Sequence, residues 1–126
     1  MSNSDHDYED HLPLTPAVFH ILLALTDSEK HGYAIMREVE QVTEGRSSMG
    51  PGTLYGAIKR LLNAGLIVET KERPDPALDN SLRRYYELTD FGRKILAAEA
   101  QRLSHLVQIA REKKLIGDAS TGGLVP

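Results

Sequence analysis

Between Gly50 and Asn63 the chain places Thr53, Tyr55, Lys59, Arg60 and Asn63, with Gly52 and Gly56 among them, opposite a stripe of Leu54, Ile58, Leu61 and Leu62. The stripe follows the three- and four-residue spacing of a helix about Pro51–Asn63 whose apolar side faces a core. The other side holds hydroxyls, an amide and two cations, and no carboxylate. Such a surface suits an anion, because Lys and Arg pair with phosphate and hydroxyls or amides can donate to phosphate or to base edges. A major groove admits one helix, and only the helix's N-terminal residues reach the bases. Thr53 and Tyr55 are therefore the first candidates for base or nearby phosphate contact, with Lys59 one turn on and Arg60 beside it. Amides at the helix start, around Gly52, offer partial positive charge to a phosphate, and Ser47 and Ser48 in the preceding turn add hydroxyl donors. The competing use of Tyr55 is packing beneath the preceding helix, and that of Lys59 and Arg60 is plain solvent exposure.

Other chemistry finds less support. Gly50-Pro51-Gly52-Thr53-Leu54-Tyr55-Gly56 resembles a phosphate-binding loop but lacks the Gly-Lys-Ser/Thr ending, and no strand precedes it. Five histidines are scattered with no metal-ligand pair on one helix face, and His6 and His11 sit in a polar stretch with no rigid scaffold. Cys is absent, which removes disulfides, thiolate zinc sites and cysteine nucleophiles. No enzyme, no metal site and no cofactor are expected. A winged-helix adaptor that binds protein rather than DNA is the alternative from another class. It would require an apolar outer face on the Pro51–Asn63 helix, where Tyr55 is the one large ring.

The elements that position these residues are legible in order. Thr15-Pro16 gives a helix N-cap followed by the residue best tolerated at the first helical position, and Val18, Ile21, Leu22 and Leu25 form an apolar stripe to Asp27 and Ser28. A second helix runs from about His31 to Thr43, with Ile35, Val39 and Val42 inward and Gly45 as its stop. Gly65 closes the third helix. Leu66 to Lys71 then reads as a strand, Arg73 to Asn80 as a turn, and Arg83 to Leu88 as a return strand. Alternation sets Arg84, Tyr86 and Leu88 on one face and Arg83, Tyr85 and Glu87 on the other. Arg73, Arg83 and Arg84 would carry cations to the duplex backbone or minor groove, Arg83 having the outward phase, although Glu69, Glu72, Asp75, Asp79 and Glu87 dilute that charge.

From the N-cap Thr89 a last helix is expected to run to about Ile116, roughly 40 Å at about 1.5 Å per residue. Phe91, Ile95, Leu96, Leu103, Leu106, Val107 and Ala110 give it a broad apolar stripe, and Leu96, Leu103 and Ala110 recur every seven residues. A stripe of that size left in water would be unstable. Homodimerisation through this helix, or its folding back on its own domain, would cover it.

The formal charge of −3 is unevenly placed. Asp5, Asp7, Glu9 and Asp10 crowd an N-terminal stretch with no Lys or Arg, so the remainder is close to neutral and a basic face on it remains compatible with DNA. The organisation expected is an acidic disordered tail (1–11), a winged helix-turn-helix domain (12–89), a dimerisation helix (90–116) and a flexible tail (117–126). The fold class is mainly α with a small β-hairpin. No run is apolar enough to span a bilayer and the first residues are unlike a signal peptide, so a cytoplasmic location with no membrane partner is expected.

Four motifs carry a family resemblance. His31-Gly32-Tyr33 opens the second helix, Gly52-Thr53-Leu54-Tyr55 opens the third, Arg60-Leu61 with Gly65-Leu66-Ile67 closes it, and Arg84-Tyr85-Tyr86-Glu87-Leu88-Thr89 with Gly92 follows the hairpin. In type, order and spacing, from about Leu14 to Ile116, the chain resembles the PadR family of bacterial transcriptional regulators, and within it the smaller subgroup with a single C-terminal helix. The resemblance implies a homodimer that binds a two-fold symmetric double-stranded DNA operator, commonly as a repressor, and often answers to a small-molecule effector of aromatic or cationic type. An effector would be expected in a cleft between the first helix and the long C-terminal helix at the dimer interface. Two departures stand out. Gly56 follows the Leu-Tyr pair where the family usually has Pro, and the chain lacks the Trp that some multidrug-sensing members stack on drugs.

Overall fold

The computed structural model describes residues 11–70, 73–74 and 82–117. The expected acidic stretch up to Asp10, the hairpin tip with Glu72, Asp75 and Asp79, and the end of the chain from Asp118 lie outside the described residues.

Helix α1 (Pro16–Ala24) starts where Thr15 and Pro16 dictate, the Thr15 hydroxyl accepting the Val18 amide. A two-residue strand, β1 (Lys30–His31), follows, then α2 (Gly32–Val42). Its N-cap is His31, whose ring Nδ1 accepts the Ala34 amide at 3.1 Å. Glu44 and Gly45 take left-handed backbone conformations and turn the chain out of α2. Helix α3 (Pro51–Ala64) has Pro51 at its first position and Gly65 as a left-handed cap, the position where an achiral residue is least costly. Strands β2 (Ile67–Glu69), β3 (Arg73–Pro74), β4 (Leu82–Arg83) and β5 (Tyr85–Leu88) complete the hairpin, and α4 (Asp90–Glu112) is the long last helix.

The sheet has the order β1-β5-β2 with both pairings antiparallel, and β3 pairs β4 farther along the wing. Three helices, a short sheet and a wing in this order define a winged helix-turn-helix carrying a long C-terminal helix. Strand β1 was not legible in the sequence. It pairs Lys30 with Tyr86 and His31 with Tyr85, and so ties the start of α2 to the base of the wing.

The core draws on every layer: Ile21 and Leu22 from α1, Ile35 and Val39 from α2, Leu54, Ile58 and Leu61 from α3, then Leu66, Ile67, Tyr86, Ile95 and Leu96. Burying a large apolar side chain contributes about 1.5–3 kcal/mol, so this cluster is what holds the helices against the sheet. Where α4 crosses the end of α3, Thr89 makes the joint. Its hydroxyl donates to the Gly65 carbonyl at 2.7 Å and accepts the Gly92 amide at 2.9 Å. Gly92 is required there, because a Cβ would run into the Leu66 backbone carbonyl.

Several expectations need correction. Val42, assigned to the inward face of α2, is 57% exposed, because the helix ends there before its last turn reaches the core. The first strand is shorter than Leu66–Lys71, and the return strand is broken at Arg84. Helix α4 stops at Glu112, short of Ile116. Ile95 and Leu96, expected to face a second chain, are 0% and 5% exposed in the single chain and belong to its own core.

Candidate nucleic-acid interface

Packing fixes which side of α3 meets solvent. Leu54, Ala57, Ile58 and Leu61 are buried, so Gly52, Thr53, Tyr55, Lys59, Arg60 and Asn63 all remain exposed. No carboxylate lies on that exposed side, and Lys59 and Arg60 have no ion-pair partner among the described residues. No side chain caps the start of α3. The first backbone bond is that from the Leu54 amide to the Gly50 carbonyl at 3.0 Å, which leaves the amides of Gly52 and Thr53 directed out of the helix end. Thr43 fixes the turn leading in, its hydroxyl accepting the Ser47 amide and donating to the Val39 carbonyl. Ser47 is half-buried and Ser48 exposed in that turn.

Tyr55 does two things at once. It is 47% exposed, yet its phenol lies over Gly32, where a Cβ would overlap the ring. The packing use and the surface use therefore both describe this side chain. One flank of the ring rests on the start of α2, and the rest faces solvent at the mouth of an open groove of about 500 Å³. That groove joins the end of β1 (His31), α2 (Tyr33), α3 (Tyr55) and the wing (Arg83, Arg84).

Sequence reasoning missed the α2 contribution. Tyr33 is 43% exposed, stacks on His31 at 6.4 Å between ring centroids and lies under the Arg37 guanidinium at 5.8 Å. His31 also meets Tyr85 edge-on. The only early signal was the His-Gly-Tyr motif, which carried no chemistry until strand β1 brought it beside the wing. On the wing, Arg84 is exposed and sits 3.8 Å from the Glu69 carboxylate. Arg83, expected to have the outward phase, is half-buried along the groove, because the break at Arg84 interrupts the alternation. Arg73 joins the wing through its backbone pairing with Arg83. Burial, with Glu69 next in weight, pushes the Tyr86 phenol above its ordinary value, so it stays neutral beneath this surface.

The expected dimerisation residues separate into two sets. Ile95 and Leu96 are core and Phe91 is partly buried against it. Leu106 and Val107 are 47% and 39% exposed, with Leu103 and Ala110 half-buried beside them. The second half of α4 thus carries an apolar strip that its own domain leaves uncovered. Among the described residues no group of His, Asp or Glu could hold a metal, and no helix is long and apolar enough to cross a membrane.

A winged helix-turn-helix with a carboxylate-free third helix is the architecture of a transcriptional regulator. The model of the transcriptional regulator PadR-like family matches residues 21–98, and the chain belongs to that family, one of regulators and not of enzymes. Among curated relatives, a transcriptional regulator of Mycobacterium tuberculosis is 34% identical over 104 residues, covering 82% of this chain and 87% of that protein. A 37.1 kDa protein of transposon TN4556 from Streptomyces fradiae is 40% identical over 86 residues. That match covers 68% of this chain but only 22% of the transposon protein. The crystal structure of Bacillus subtilis PadR in complex with operator DNA shares the fold, with a TM-score of 0.55 at 23% identity, over 64% of this chain and 44% of that one.

Proposed function

We propose that the chain is a sequence-specific, DNA-binding repressor that grips a two-fold symmetric operator as a homodimer. The observation that carries this reading is the exposed, carboxylate-free face of α3 from Gly52 to Asn63, with open amides at its start. Thr53 and Tyr55 contact bases or the adjoining phosphates, and Lys59 and Arg60 contact phosphates farther along. Ser47 and Ser48 donate from the turn, and Arg73, Arg83 and Arg84 bring the wing to the backbone or minor groove. Tyr33 and Arg37 extend the same surface onto α2. The relative solved with operator DNA supports the choice of partner.

The uncovered strip of Leu103, Leu106, Val107 and Ala110 supports dimerisation, since a second copy of α4 presents the same apolar residues in return. Repression follows from occupancy of a promoter, in the cytoplasm, and release by a small-molecule effector is part of the proposal through the family resemblance. A ligand seated between α1 and α4 where two chains meet would alter the separation of the reading helices.

Selection of duplexes from a random library, followed by footprinting, tests the reading. Two protected half-sites about one helical turn apart are expected. Absence of any enriched duplex would move the chain to the adaptor class.

A further inference from the structure

Glu99 is the buried charge at the point where α4 leaves the domain. It is 1% exposed, and its partners come from two directions. The Leu14 amide donates to Oε2 at 3.0 Å, and Arg102 donates to both oxygens, Nε to Oε1 at 2.7 Å and Nη2 to Oε2 at 2.9 Å. A buried carboxylate is tolerated only with such complete pairing. This one uses its bonds to join α4 to the residue just before the α1 N-cap, 85 positions away in sequence. N-terminal to it, Ile95 and Leu96 are locked in the core. Beyond it, α4 runs on to Glu112 with its apolar strip uncovered.

We infer that the Glu99–Arg102–Leu14 clasp is the joint that sets the angle of α4 against the winged domain, making Glu99 a positioning residue for the spacing of the two reading helices. The inference rests on the dimer reading above. The helix beyond Glu99 is a lever about 20 Å long at 1.5 Å per residue. A freedom of roughly 10° at its base moves the far end by about 3.5 Å, close to the rise of one base pair. A loose joint therefore costs register on the duplex before it costs the fold.

The chain has no cysteine, so a single Asn63→Cys change takes a spin label at the end of each reading helix in the full-length dimer. Dipolar distance measurement is expected to give one narrow distribution for the otherwise wild-type protein. In Glu99→Gln the distribution broadens at least about 1.5-fold, while sedimentation still shows a dimer. Arg102→Lys, which keeps a cation beside Glu99 but loses the two-point grip, gives a folded second variant with the same broadening. On the duplex selected by the wild type, inserting one base pair between half-sites lowers wild-type affinity at least tenfold and the variants' affinity less than threefold. Unchanged distance widths and unchanged spacing discrimination in both variants would overturn the inference, even if melting temperatures fell. Absence of dipolar coupling in the wild type would instead overturn the dimer reading, and this inference with it.

Discussion

Gly32 lies directly beneath the phenol of Tyr55, so close that a Cβ at position 32 would overlap the ring. The start of α2 thereby sets the direction of the most prominent side chain on α3. Because the obstructing atoms are the far end of a half-exposed side chain, Gly32→Ala would displace the ring without disturbing the core. Tyr55→Ala is expected to weaken operator binding about tenfold, or about 1.4 kcal/mol, with little change in melting temperature. Gly32→Ala gives a comparable loss alone and no further loss in the Tyr55→Ala background. Anisotropy titrations of the four proteins complete the cycle. Additive losses would mean that the two residues act separately.

Gly92 offers the contrasting case. A Cβ there meets the Leu66 backbone, which cannot swing aside, so Gly92→Ala is expected to destabilise by about 2–3 kcal/mol, as overpacking does. A fall in melting temperature of about 10 °C follows for a chain of this size. Calorimetry checks it, and a melting point within two degrees of wild type would show that α4 shifts freely on the hairpin.

Acid acts through Glu99. The Arg102 guanidinium, first in weight, holds the Glu99 carboxyl below its ordinary range, with burial opposing and the Leu14 amide adding to the effect. A depressed folded value means that the clasp stabilises fully above the unfolded value near 4.5 and loses that contribution as pH falls through the folded value. Melting temperature should therefore drop on acidification below about pH 4.5, and Glu99→Gln should drop less steeply over the same window. Parallel curves for the two proteins would remove Glu99 from the explanation.

Sedimentation at micromolar concentration should give twice the chain mass. Leu106→Glu with Val107→Glu changes two exposed residues and is expected to yield a folded monomer that binds the operator at least tenfold more weakly. Truncation after Thr89 would unfold the domain instead of isolating the interface, because Ile95 and Leu96 belong to its core. A double variant that remains a dimer would place the interface elsewhere.

Local chemistry was the legible part of the sequence. Thr15-Pro16, Gly65 and Thr89 each mark a helix end with a backbone requirement of their own, and the structure uses all three as read. The face of α3 followed because four apolar residues at helical spacing leave one solution for the rest. Partnership at a distance was not legible. Helical spacing makes Ile95 and Leu106 look alike, although one is core and the other uncovered, since periodicity reports a face and not what covers it. Strand β1 is two residues long and exists only because β5, far along the chain, pairs with it. Glu99 reads as an ordinary surface charge until Leu14 and Arg102 are seen around it.

The salt dependence of binding to the selected duplex tests most directly whether the α3 face meets DNA. With three or four phosphates neutralised per subunit, log affinity against log salt should fall with a slope of about −5 to −7, and Lys59→Ala should reduce that slope by about two across the dimer. Binding that ignores salt, or a slope that Lys59→Ala leaves untouched, would contradict it.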